Sequence, residues 1–259
     1  MKTIILTFLI ATSSLAVAAQ TPSPSPLDAA AEKQRADRLQ ARYNDFANLA
    51  RYRDANSKLA PPTAGAQRVV FMGDSITDIW KLDQYFPGKL YINRGISGQT
   101  TPQMLLRFRP DVIDLKPKVV VILAGTNDIA GNTGPESLGE IEGNLTSMVE
   151  LARANGINVV LATLTPVGDY EKDKNGKQIV QTVRRPPEQI LELNRWIKQF
   201  AADRGLVYLD YFTSTVDDKG FFKEDLTYDG LHPNAKGYEV MKPLVENAIE
   251  LALRARQRK

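Results

Sequence analysis

Apolar residues fall along this chain in two alternating rhythms. Short uninterrupted runs occur at residues 69–72, 90–92, 119–123, 159–161 and 206–209, mostly Val, Leu and Ile. Runs of that length with nothing polar inside them suit strands of a sheet covered on both faces. The stretches between carry apolar residues at helical spacing. Met104, Leu105, Phe108 and Val112 mark a helix over 102–115, and Leu138, Ile141, Leu145 and Val149 one over 136–154. Ile190, Leu193, Ile197 and Phe200 mark a third over 187–204, and Tyr238, Met241, Leu244, Val245 and Ile249 a fourth over 234–256. Thr133 with Glu136 reads as a capping box for the second, and Asn155-Gly156 and Gly205 read as stops. Strands separated by helices imply parallel pairing with right-handed crossovers. The pattern therefore predicts an α/β fold, a three-layer α/β/α sandwich around a five-stranded parallel sheet.

The first 62 residues follow other rules. Lys2, an apolar run over 4–11 and the small residues Ala16-Val17-Ala18 make a secretory signal peptide over 1–19. The apolar run is short for a membrane span. Export places the mature protein outside the cell or in a periplasm, with no membrane span of its own. Pro, Ser and Thr then form a linker from residue 20. Leu39, Tyr43, Phe46 and Ala50 recur at helical spacing, which predicts one amphipathic helix from Asp28 to just before Pro61-Pro62, packed on the main domain. The expected organisation is signal peptide 1–19, linker and helix 20–62, and one catalytic-sized domain over 63–259.

Composition narrows the chemistry. The 259 residues hold no cysteine and one histidine, His232. Disulfides, thiolate nucleophiles and sites built on several imidazoles are excluded. The net charge of +3 comes without a basic stripe, so no nucleic-acid role is expected. Nothing calls for a cofactor or a metal.

In open parallel sheets, sites form beyond the carboxyl ends of strands. Four polar, glycine-rich segments fall at such ends or just before a helix: Gly73-Asp74-Ser75, Asn93-Arg94-Gly95-Ile96-Ser97-Gly98, Gly125-Thr126-Asn127-Asp128 and Asp229-Gly230-Leu231-His232-Pro233. A serine hydroxyl needs a base to attack an ester, and the base needs a group to orient it. Ser75 is the candidate nucleophile, His232 its base and Asp229 the orienting carboxylate. The backbone N–H groups of Ser75 and Gly98 and the side-chain amide of Asn127 are candidate donors to the oxyanion, with glycine at 98 permitting close backbone approach. Asp74, Asp128 and Arg94 flank these positions and read as structural. Arg184 and Arg185, in the polar loop 168–185, read as a solvated loop with anion binding as the alternative.

Those four segments, in that order, resemble the blocks of the SGNH hydrolases, also called GDSL-type esterases, with Ile76 where the name has leucine. The resemblance implies a flavodoxin-like sheet, and the catalytic roles just assigned to Ser75, Gly98, Asn127, Asp229 and His232. It implies a serine esterase acting on a small-molecule or glycan ester; with the expected export, the carbohydrate esterases in that family and no long apolar lid segment visible in the sequence, short acyl groups, acetyl on carbohydrate foremost, are the expected substrate. An envelope acyltransferase using the same acyl-enzyme, a lysophospholipase or thioesterase, and a non-catalytic binding module are the alternatives.

Overall fold

The computed structural model describes residues 26–255 except 171 and 173. The expected signal peptide and the start of the linker lie outside the described residues. The chain divides into two units at Tyr43–Asn44. The first unit ends in helix α1 (Pro26–Asn44), on whose surface Lys33 and Asp37 pair one turn apart.

The second unit opens with α2 (Ala50–Ser57). The single N-terminal helix expected from the pattern is thus two. The break has a local cause: the Asp45 carboxylate accepts the N–H groups of Leu49 and Ala50 at 2.7 and 2.9 Å, and Asn48 turns left-handed at φ 53°. Those orphan donors are capped by a side chain instead of being carried on from the preceding turn.

The alternating pattern then appears as β1 (Val69–Gly73), α3 (Ser75–Asp78), α4 (Leu82–Tyr85), β2 (Tyr91–Gly95), α5 (Thr101–Asp111), β3 (Val119–Leu123) and α6 (Thr126–Ile129). It continues with α7 (Leu138–Ala154), β4 (Asn158–Ala162), α8 (Pro187–Arg204), β5 (Val207–Leu209), α9 (Phe212–Thr215) and α10 (Ala235–Arg254). All strand pairs are parallel, in the order β2-β1-β3-β4-β5. Every residue of β1 and β3 is buried, so both faces of the sheet are covered by helices. Each such Val, Ile or Phe contributes about 1.5–3 kcal/mol by leaving water.

The capping box of α7 is Ser137 with Glu140, not Thr133 with Glu136. Ser137 N–H donates to Glu140 at 2.7 Å, and Glu140 N–H donates back to the Ser137 hydroxyl. Both tetrapeptides carry the signature, and the second sits directly before the buried stripe of Ile141, Leu145 and Met148. Thr133 bonds Glu136 in the preceding turn.

The strand order fixes where a site can form. From β1 the chain steps outward to β2 and then crosses back to β3 on the other side of β1. The loops leaving β1 and β3 diverge there, and that divergence opens a crevice at their carboxyl ends. On the far side of α3, the Tyr238 hydroxyl of α10 donates to the Ile76 carbonyl at 2.7 Å, tying α3 to α10.

Candidate active site

Ser75 opens α3 directly after β1. Asp74 is the N-cap: its Oδ1 accepts the Ile76 N–H at 2.9 Å. Its other oxygen is buried without a partner, and burial pushes the carboxyl up to about 6. The expected structural role of Asp74 agrees with this cap. Asp128 likewise accepts the backbone N–H of Thr101 at 2.7 Å and its hydroxyl, joining α6 to α5, and burial raises it too.

His232 reaches Ser75 from the loop before α10. Its Nε2 lies 2.9 Å from Ser75 Oγ and its Nδ1 lies 2.8 Å from Asp229 Oδ2. The other Asp229 oxygen accepts the backbone N–H groups of Leu231 and His232, at 3.0 and 2.8 Å. Partial burial alone would raise the Asp229 carboxyl; the bonds from His232 and its charge outweigh that and lower it to about 2. An ionised carboxylate on Nδ1 holds the proton there and leaves Nε2 as the acceptor facing the serine.

The loop is tied by one of its own side chains. The Thr227 hydroxyl donates to the His232 carbonyl at 2.8 Å and accepts the Gly230 N–H at 3.1 Å. Gly230 sits at φ 79°, and a Cβ there would lie 1.9 Å from the Gly168 carbonyl oxygen. Close backbone approach is required at this glycine. At Gly98 it is not: a Cβ would meet only Asn132 Nδ2, at 3.8 Å, and the reason for glycine is its φ of 79°.

Ser75, Gly98, Asn127 and His232 line one open cavity of about 580 Å³, with Ile79, Ser97, Arg185, Tyr228 and Leu231. All five residues expected at the site are therefore brought together, Asp229 behind His232 and the other four at the cavity. Asn127 Nδ2 gives one of its hydrogens to the Gln99 carbonyl at 3.1 Å, and Asn127 Oδ1 accepts from Arg185 Nη2 at 3.0 Å. The amide orientation is thus set on both sides.

Arg185 corrects the expectation of a solvated loop. It is only 4% exposed, and its Nη1 donates to Gln181 Oε1 at 3.0 Å. Burial, with Arg184 beside it, lowers the guanidinium to about 10. A basic pair just ahead of a helix N-terminus is electrostatically unfavourable, and that misplacement was the available signal. Arg107 and Gln99 carried no motif. Arg107, fully buried in α5, donates to Gln99 Oε1 at 2.5 Å and to the carbonyls of Arg94 and Gly73 at 2.8 and 3.1 Å. It also pairs with Asp111 at 3.1 Å. It therefore pins the carboxyl ends of β1 and β2 together. Arg94 is structural as expected, bonding Asn56 and lying over the Tyr52 ring. Among the described residues, no three His, Cys, Asp or Glu side chains cluster as a metal site would need.

Residues 71–240 match the GDSL-like Lipase/Acylhydrolase family, and the chain belongs to that family. It is an ester hydrolase of the α/β type described above. A solved GDSL-like lipase from Bacteroides thetaiotaomicron is 40% identical, with a TM-score of 0.72, covering 80% of this chain and 99% of that one. The acetylxylan esterase of Geobacillus stearothermophilus is 25% identical over 68% of this chain and 90% of its own length. The human platelet-activating factor acetylhydrolase IB subunit alpha2 is 29% identical over 71% of this chain and 76% of its own. A shorter match, 42% identical, spans 29% of this chain and only 32% of the uncharacterised lipoprotein YqeF of Bacillus subtilis.

Proposed function

We propose that this chain is an exported serine esterase that removes short acyl groups, acetyl foremost, from carbohydrate. The observation that carries the catalytic reading is the unbroken line from Ser75 Oγ through the His232 ring to Asp229, at 2.9 and 2.8 Å. In this reading His232 Nε2 takes the serine proton as Oγ attacks the ester carbonyl carbon. The resulting oxyanion is held by the N–H groups of Ser75 and Gly98 and by the second Nδ2 hydrogen of Asn127. Each such donor is worth about 3 kcal/mol in the transition state. The ester C–O bond breaks, the leaving alkoxide takes the proton from His232, and the acyl group stays on Ser75. Water then attacks the acyl-enzyme with His232 again as base, releasing the carboxylic acid and restoring the serine.

Two relatives whose names specify acetyl esters support the short-acyl part of the reading, and the acetylxylan esterase supports carbohydrate as its carrier. The N-terminal pattern Lys2, residues 4–11 and Ala16-Val17-Ala18 supports export. No helix among the described residues is long and apolar enough to cross a membrane. Initial rates on aryl acetate and aryl decanoate, alongside acetate release from acetylated glycans, test the substrate with Ser75→Ala as control. The proposal expects acetate to be the better aryl ester and acetylated glycans to be cleaved. A preference for decanoate, or glycans left intact, contradicts it. Acyl transfer to an added sugar in place of water would redirect the reading to a transferase.

A further inference from the structure

The loop 168–185 supplies two consecutive arginines, and each grips an asparagine in the same way. Arg185 Nη2 donates to Asn127 Oδ1 at 3.0 Å, and Asn127 Nδ2 donates to the Gln99 carbonyl at 3.1 Å. Arg184 Nη2 donates to Asn132 Oδ1 at 2.8 Å, and Asn132 Nδ2 donates to the Gly98 carbonyl at 2.9 Å. Both amides thus end on adjacent carbonyls of one short loop, the loop that carries Gly98. The two arginines differ in burial. Arg184 is exposed, whereas Arg185 is buried and spans further. Its Nη1 donates to Gln181 Oε1 at 3.0 Å, and Gln181 Nε2 donates to the Asp229 carbonyl at 3.3 Å.

We infer that Arg185 is a positioning residue for ester hydrolysis, fixing the Asn127 amide toward the oxyanion and linking it through Gln181 to the loop that carries Asp229 and His232. The inference rests on the reading of Asn127 as an oxyanion donor. An asparagine amide is nearly symmetric in shape, and turned over it would present its oxygen to a developing negative charge. Arg185 has no acceptor, so it can bond only the oxygen, which commits the nitrogen to the Gln99 side and the cavity. A planar fork reaches two acceptors at once, which the single ammonium of lysine does not reproduce in the same geometry. Burial makes the arrangement costly to leave half-made: without Arg185 the buried amide oxygen loses its donor, and the Gln99 carbonyl alone is left to hold the amide plane. Arg185 is among the residues that line the cavity, so its alternative use is direct contact with an anionic substrate.

A double-mutant cycle on a neutral aryl acetate separates these cases. Arg185→Met and Arg185→Lys are each expected to lower kcat by about 100-fold, the usual consequence of a catalytic group displaced by about an ångström, with KM little changed. Asn127→Ala is expected to lower kcat by about 10²–10³-fold. Arg185→Met added to Asn127→Ala is expected to cost less than about threefold more, because groups acting through one contact are not additive. Millimolar guanidinium should restore part of the turnover of Arg185→Ala and none in the Asn127→Ala background. Full kcat in Arg185→Lys overturns the inference, because charge alone would then suffice. A rise in KM with kcat intact overturns it in favour of substrate contact. Additive losses in the double variant also overturn it, since a merely structural or misfolding defect multiplies in any background. The reading beneath is tested separately. Undiminished kcat in Asn127→Ala sinks the oxyanion role, whereas an impaired Asn127→Ala beside an unimpaired Arg185→Met sinks only the inference.

Discussion

Asp74 and Asp229 are two carboxylates near one imidazole, and their surroundings drive them in opposite directions. Burial with one unpaired oxygen raises Asp74 to about 6, whereas the His232 bonds bring Asp229 down to about 2. The folded state therefore holds a proton on Asp74 more tightly than the unfolded chain does. The stability that proton confers is complete below about pH 3.8 and is lost as pH rises through about 6. Asp74→Asn keeps an oxygen to cap the Ile76 N–H and removes the titration. Unfolding free energies from urea titrations are expected to favour the variant over the parent more at pH 8 than at pH 4, by up to about 3 kcal/mol. A difference independent of pH would contradict the account of Asp74. Asp229 has the reverse sign. Its contribution is present above about 3.8 and is lost only as pH falls through about 2. Any acid limb in kcat/KM above roughly pH 4 therefore belongs to a group other than Asp229, and Asp229→Asn should lower kcat by about 10⁴-fold.

At the scale of elements, the site is assembled by loops that fold on themselves before they meet. Asp74 caps α3 and so presents Ser75; Asn234 caps α10 through the Gly237 N–H at 3.0 Å and so ends the His232 loop. The contact between loops runs through Gly230, where any side chain collides with the Gly168 carbonyl. Gly230→Ala is expected to lower kcat by more than about 100-fold while far-ultraviolet circular dichroism stays that of the parent; parental activity would show that the close approach is dispensable. These elements also divide what a sequence reveals from what it conceals. The strands over 69–73 and 119–123 were legible because burial on both faces leaves an unbroken apolar run. Helix α8 was legible at both ends, from Pro187 and from Gly205 in the left-handed conformation. Ser75, Gly98, Asn127, Asp229 and His232 were legible because each sits in a short block that follows a strand or precedes a helix. The break at Asp45–Asn48 was concealed, since the apolar spacing runs straight through it. Arg107, Gln99 and Arg185 were concealed as well. Arg107 recognises carbonyls, which leave no pattern in residue types, and Arg185 recognises the amides of Asn127 and Gln181, to which only its place ahead of α8 pointed.

Across the whole molecule, the order β2-β1-β3-β4-β5 sets the candidate residues around one crevice. The crevice lies where the loops from β1 and β3 part, Ser75 stands on one lip and Asn127 on the other, and the last loop before α10 brings His232 over the gap. The segment around α2 braces the same edge. Asn56 bonds both Arg94 and Asp111, the Tyr52 hydroxyl bonds the Gly95 carbonyl, and Gln99 Nε2 donates to the Ala47 carbonyl at 2.7 Å. Residues 45–57 therefore belong to the architecture that supports the Gly98 loop. The proposed mature chain would begin near residue 20, and intact-mass measurement of exported protein should show residues 1–19 removed; retention of that segment would contradict export by a cleaved signal. The central claim is that Ser75 is a nucleophile made reactive by His232. Treating the native enzyme with an alkyl fluorophosphonate and mapping the adduct by peptide mass spectrometry measures this directly. One adduct, on Ser75, with labelling at least about 10³-fold slower in His232→Ala, is the predicted result. An adduct on another residue, or equal labelling without the histidine, would contradict it.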